Sequence, residues 1–370
     1  MNDAEFASRR REIAAALARV SAGRGRTVRV DALLVAGLPN IRYLTGFTGS
    51  NALLLVEASG EALLFTDPRY RLQAASEVAC AIKVAKGPIL PHVVRRVERR
   101  RIKRLGFEAS RIGFEAYEHL KENLPATRTL EPVRGLIEKR RMRKSPAEIE
   151  LVRRSVATNS EAFSQVLRLI RPGRTTEAEL AAELDYRMRR LGAEKPAFDT
   201  IVVAGGRTAH PHARPSGKVL GANELLLIDV GAFQDGYASD MTRVLFLGRA
   251  GNPIRRVYGA VLDAQLAAIQ AVKPGARAAE VDRRAREVLR DHSLDRAFVH
   301  STGHGLGLEI HEPPRLGRRE RTRLEEGMTI TIEPGAYVEG VGGVRIEDTV
   351  LVTRDGCEVL TPTKKELLEI

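Results

Sequence analysis

Short apolar runs separated by turn residues dominate the first part of the chain. Ala32 to Val35, Ala52 to Val56, Ala62 to Phe65 and Ile82 to Val84 each have the length and branched-chain content of a buried strand. Helical segments lie between them, including Pro68 to Val78, and Met1 to Val20 reads as an amphipathic surface helix. Strands alternating with helices predict an α/β layer structure over residues 1–140. The pattern changes at Ser145-Pro146-Ala147-Glu148, which carries the N-cap, first-turn proline and capping-box acid of a helix start. Ile149, Val152 and Val156 continue that helix at helical spacing. Further on, Arg171-Pro172-Gly173 and Lys273-Pro274-Gly275 close two helices at a spacing of 102 residues. The expected organisation is two domains, 1–140 and 145–370, as a length of 370 residues also suggests.

The second part repeats itself. Leu-Ile-Asp229-Val-Gly-Ala-Phe233 returns 104 positions later as Thr-Ile-Glu333-Pro-Gly-Ala-Tyr337, and each copy is followed by an acid near a threonine, Asp240-Met241-Thr242 and Glu347-Asp348-Thr349. An ionised carboxylate inside an apolar strand needs a charge partner, so folding alone does not explain it. Residues 225–247 read as a β-hairpin whose turn, centred between Gln234 and Asp235, puts Asp229 opposite Asp240. Thr329 to Ala336 and Val344 to Val352, joined through Gly340 to Gly343, pair Glu333 with Glu347 in the same way. Directly opposed strand residues have Cβ atoms about 5 Å apart. Four carboxylates that close could not all stay ionised without positive charge, which two divalent ions would supply.

One histidine stretch fits that chemistry, Ser301-Thr-Gly-His304-Gly-Leu-Gly-Leu-Glu-Ile-His311-Glu312. Neutral imidazole is a common metal ligand, and glycines on both sides of His304 let the backbone approach a crowded centre. A phosphate loop would need Gly-Lys-Ser/Thr, which is absent, and Gly303 spoils a zinc helix between His300 and His304. The donor set is hard and oxygen-rich, which favours manganese or cobalt and leaves zinc open.

Asp229, Asp240, His304, Glu333 and Glu347, in this order and context, resemble the dinuclear metal site of the pita-bread metallopeptidases, the family of methionine aminopeptidase, aminopeptidase P and prolidase. Asn40 to Asn51 resembles the amino-terminal domain of the Xaa-Pro branch, and Gly342 to Asp348 its final ligand motif. The resemblance spans essentially the whole chain. It implies a creatinase-type, ribonuclease-H-like α/β domain followed by an α+β pita-bread domain with an internal pseudo-twofold repeat. It further implies that Asp240 and Glu347 bridge two ions, that Asp229 holds one, and that His304 and Glu333 complete the other. Glu333 is then the candidate to take a proton from water. His212 and His311 match positions that orient substrate and assist the leaving proline nitrogen, and His300 buttresses the site. Arg345 would hold carboxylates or a substrate group, and Arg315, as in prolidases, would meet the free carboxylate of a dipeptide. Lys144, Asp67 and Arg69 read as ordinary surface or turn residues.

Charge divides the chain, with 28 Lys and Arg against 15 Asp and Glu in residues 1–144 and 32 against 32 beyond. The arginines around Val93, Val94, Val97 and Ile102 have the pattern of solvated faces, and no nucleic-acid module accompanies them. Cys80 and Cys357 cannot build a disulfide framework, and nothing resembles a signal peptide or membrane span. The expectation is a cytoplasmic homodimeric metallopeptidase acting at the Xaa-Pro bond of short proline-containing peptides, with a dipeptidase favoured over aminopeptidase P. The alternative is a catalytically silent pita-bread protein that binds protein or nucleic acid.

Overall fold

The computed structural model describes residues 2–370 apart from Ala22 and Arg24, and Met1, the first residue of the expected amino-terminal helix, lies outside the described residues. The chain forms two compact units, Met1–Arg141 and Met142–Ile370.

The first unit is built on a six-stranded mixed sheet in the spatial order Ala81–Val84, Ala62–Thr66, Ala52–Glu57, Ala32–Val35, Arg104–Glu108, Thr129–Val133. The last two strands were not evident from the apolar pattern, and in the outer one Pro132 interrupts it. Its missing N–H is tolerated only because Thr129–Val133 lies at the sheet edge. The segment 68–78 splits into a 3₁₀ turn, Pro68–Tyr70, and a helix, Arg71–Glu77. Helix Leu90–Arg99 buries Val93, Val94 and Val97, while Arg96 and Arg100 pair with Glu57 and Glu61.

The helix Asp3–Ala16 differs from the expected surface helix. Arg9 and Arg10 are buried, and they donate to the carbonyls of Tyr43 (3.1 Å) and Leu44 (2.8 Å) at the carboxyl end of helix Leu38–Thr45. Cations are favourable there because the last carbonyls of a helix lack partners and carry partial negative charge.

The second unit repeats a helix pair and a sheet. Pro146–Leu167 and Glu177–Arg190 are joined through Gly173, and Asn252–Gln270 and Ala278–Asp291 through Gly275, both glycines at positive φ. Ser145 and Glu148 form the capping box. One sheet runs Ile201–Ala204, Glu224–Val230, Met241–Leu247, Leu368–Glu369; the other runs Glu312–Leu316, Gly303–Gly305, Thr329–Ile332, Asp348–Val352, Cys357–Val359. Strand Glu224–Val230 buries both faces. Leu226, Ile228 and Val230 pack with the first helix pair, and Leu225 and Leu227 pack with the second. Asp229 has the parity of Leu225 and Leu227, so alternation turns it toward the second half.

Candidate metal centre

The first hairpin turns at Asp235 and Gly236, both at positive φ, and this two-residue loop pairs Gln234 with Tyr237. The same register runs down the strands and sets Asp229 against Thr242, not against Asp240 as the sequence suggested. The turn is centred one residue later than expected, because only Asp and Gly occupy the left-handed region. Asp240 falls two residues before Thr242, diagonal to Asp229 on the same face. In the second copy Ile332 faces Asp348 and Gly335 faces Arg345, a register that puts Glu333 across from Glu347.

His304 enters from strand Gly303–Gly305. A Cβ on Gly303 would lie 1.9 Å from the carbonyl oxygen of Thr331, and one on Gly305 2.4 Å from that of Pro313, so no side chain fits at either position. The Nδ1 of His304 lies 3.0 Å from the Gly305 carbonyl oxygen, which can only accept. Nδ1 therefore carries the proton, and the Nε2 lone pair faces Asp240 Oδ2 and Glu333 Oε1, each 3.5 Å away. Asp240, His304 and Glu347 each offer a ligand atom within 4.8 Å of the others. Asp229 stands beside them, ion-paired to Arg345.

The electrostatics of this cluster call for positive charge. Burial, reinforced by repulsion among the acids, drives the carboxyls of Asp240 and Glu347 well above the usual carboxylate range. Burial lifts Glu333 to about 7, against the opposing pull of Arg345. Asp229 Oδ1 and Glu347 Oε1 are buried without a hydrogen-bond partner among the described residues. Orphaned buried anionic oxygens are costly unless a cation meets them, so the donors fit a hard divalent metal.

Thr242, Thr349 and Tyr337, to which the sequence assigned no role, complete the frame around Arg345 and His300. Thr242 Oγ1 donates to Glu347 Oε2 (2.7 Å) and accepts from Arg345 Nε (3.0 Å). Its counterpart Thr349 donates to the carbonyl of Asp240 at 3.0 Å, so each threonine of the repeat holds the acid of the other copy. Arg345 Nη1 donates to Tyr337 Oη (2.6 Å), and Tyr337 lies 2.9 Å from His300 Nε2. Because His300 Nδ1 meets the Ser301 carbonyl, Nε2 accepts from the tyrosine. Burial keeps this imidazole neutral, pushed down to about 4.

The remaining residues sit around this frame. The His311 ring packs edge-on against His304 with centroids 4.4 Å apart, and burial again lowers its basicity. His212 is exposed, on the segment whose Pro211 carbonyl accepts from Arg345 at 3.4 Å. Arg315 is exposed and paired across the strands with His304, and it lines a cavity bordered also by His300. Lys144 is not a surface residue. Its ammonium pairs with Glu312 Oε2 at 3.2 Å, both side chains being 2% exposed, and Glu312 Oε1 accepts from the Glu309 amide. This pair anchors the turn that carries His311.

The sequence comparison agrees with this geometry. Residues 150–354 match the model of metallopeptidase family M24, and residues 24–143 match the creatinase/prolidase N-terminal domain. The chain belongs to metallopeptidase family M24. Its fold is accordingly a creatinase-type domain followed by a pita-bread catalytic domain. Among M24 relatives, the Xaa-Pro dipeptidase of Pyrococcus furiosus is 36% identical over 92% of this chain and 95% of that protein. The solved Xaa-Pro dipeptidase of Bacillus anthracis superimposes with a TM-score of 0.92 at 36% identity, covering 100% of both chains. An X-Pro aminopeptidase from Thermotoga maritima has a TM-score of 0.86 at 34% identity, covering 92% of this chain and 98% of its own. No helix among the described residues is long and apolar enough to cross a membrane.

Proposed function

We propose that the protein is a dinuclear metal-dependent Xaa-Pro dipeptidase. The carrying observation is the carboxylate–imidazole cluster, in which two buried carboxylate oxygens lack partners among the described residues and which lies on a scaffold shared with enzymes of that name. Asp229, Asp240, His304, Glu333 and Glu347 would hold the ions, with Asp240 and Glu347 shared between them. Such a metal pair supplies Lewis acidity toward a water and toward the scissile carbonyl. The chain's own groups do the rest. Glu333 takes the proton of the attacking water, and that proton is relayed through His311 to the proline nitrogen, which must be protonated to leave as an amine. His212 orients the amino-terminal residue. Arg345 holds Asp229 in place, and Tyr337 and His300 hold Arg345. Manganese or cobalt suits the donor hardness, both thiols are free as in a reducing cytoplasm, and homodimerisation is open to light scattering. A silent binding protein would have no use for five charged or ligating groups in one buried cluster.

Arg315 favours dipeptides. It makes no ion pair among the described residues and stands opposite His304, where a free proline carboxylate could be met. A charge-assisted contact of this type contributes roughly 1.5 to 3 kcal/mol. Arg315→Ala should therefore raise KM for an Xaa-Pro dipeptide roughly ten- to a hundredfold while leaving Xaa-Pro-Yaa cleavage almost unchanged. A wild-type preference for tripeptides, or an equal effect on both lengths, would move the assignment to aminopeptidase P.

A further inference from the structure

Helix Pro146–Leu167, strand Met241–Leu247 and the segment 362–368 line an open cavity of about 550 Å³ that shares no residue with the carboxylate cluster. That is within the usual range for a small-molecule site. Phe163 and Leu167 from the helix, Val244 and Leu245 from the strand, and Leu368 make its walls largely apolar. Ser160 also lines it, 8% exposed, and its Oγ is buried with no hydrogen-bond partner among the described residues. A mid-helix serine commonly bonds the carbonyl one turn back, and Ser160 does not, so its covered hydroxyl is left for a molecule that shifts the wall beside it. Lys364 and Glu366 line the same cavity, are exposed, carry opposite charges and form no ion pair among the described residues.

These features narrow the ligand. Apolar walls reject a small, strongly hydrated ion, and a wholly apolar molecule would leave the Ser160 hydroxyl and both charges unused. A zwitterion with a large apolar side chain satisfies all three. Arg243 also lines the cavity. Its Nε and Nη2 donate to the carbonyls of Lys364 (2.9 Å) and Thr363 (2.6 Å), while its Nη1 donates to the Glu347 carbonyl at 2.6 Å. A molecule that shifts residues 363 and 364 therefore pulls on the backbone of a carboxylate in the cluster. We propose that this cavity is a second ligand site, for a free amino acid with a large apolar side chain, and that Arg243 transmits its occupancy to Glu347.

Ligand binding is independent of the peptidase reading, whereas the link to Glu347 rests on the metal centre of that reading, and both are measured without turnover. Leucine and phenylalanine, with glycine and proline as controls, would be titrated calorimetrically into the manganese-loaded full chain. Saturable binding of the two apolar amino acids is expected, at least tenfold tighter than of glycine. Ser164→Trp and Ala157→Trp, both at exposed helix positions on the cavity wall, should fill the space and abolish binding while leaving the melting temperature and basal activity unchanged. The rate of manganese loss to a chelator should change at least twofold with leucine in the wild type and not at all in Ser164→Trp. Binding that survives in both tryptophan variants would place the ligand elsewhere and overturn the site. So would the absence of saturable binding by either amino acid. An unchanged rate of metal loss under saturating leucine would overturn the link through Arg243.

Discussion

His304 shows how little of a proposed metal ligand is in its own side chain. The Gly305 carbonyl selects the tautomer, Thr331 Oγ1 accepts from the His304 amide at 3.1 Å, and two glycines clear the space. His311 touches the same ring but makes none of those contacts, which separates the two roles. His304→Ala should lose bound metal, whereas His311→Ala should keep metal near the wild-type level and lower kcat by roughly 10² to 10⁴. Equal metal loss in both, measured by elemental analysis, would sink this division. Asp240 allows a sharper test, because its side chain carries charge that Asn lacks at equal size. Asp240→Asn should lower kcat/KM at least roughly 10²-fold and reduce metal stoichiometry. Full activity in that variant would end the dinuclear mechanism.

Among elements, the strands and the repeat could be read because their apolar runs and acids are local signals. The second copy's register was legible for the same reason, Gly340 at positive φ lying midway between Glu333 and Glu347. The first hairpin was misread by one residue, since Gln234, Asp235 and Gly236 all suit turns and only backbone φ distinguishes them. Non-local pairings were beyond reach. Arg9 and Arg10 cap a helix 34 residues away, and Lys144 finds Glu312 at a separation of 168. Nothing in the adjoining residues announces such a partner, so these cations read as surface charge. The Lys144–Glu312 pair carries its own prediction. Removing one member of a buried pair strands the other charge, at a cost of about 3 to 5 kcal/mol. Lys144→Met should show that loss in urea unfolding and a lower kcat, because the turn bearing His311 loses its anchor; Lys144→Met with Glu312→Leu should recover most of the stability. A single variant as stable as the wild type would refute the anchoring role.

In the molecule as a whole, charge and fold meet at the cluster. Part of the basic excess near the amino end is internal, since Arg9, Arg10 and Arg141 are buried and serve carbonyl or side-chain acceptors. The acids of the two copies, by contrast, are gathered from strand Glu224–Val230 and from irregular residues at the ends of neighbouring strands into one place where their charges repel. The carboxyl groups of Asp240, Glu333 and Glu347 are raised above their unfolded values by burial, so the metal-free folded chain holds protons that the unfolded chain has released. Its stability must then fall as pH rises from about 4.3, the ordinary glutamate value, through about 7, the position of Glu333. Metal loading reverses this, because an ion takes the place of those protons and binds the folded state alone. Manganese uptake at pH 6.5 should therefore release protons, detectable as a dependence of the calorimetric enthalpy on the ionisation enthalpy of the buffer. The release should shrink toward pH 8 while the apparent affinity rises, and the melting temperature gained from metal should be larger at pH 8 than at pH 6. Uptake without proton release at pH 6.5 would mean that Asp240, Glu333 and Glu347 are already ionised in the metal-free protein, and that something other than a divalent pair balances them.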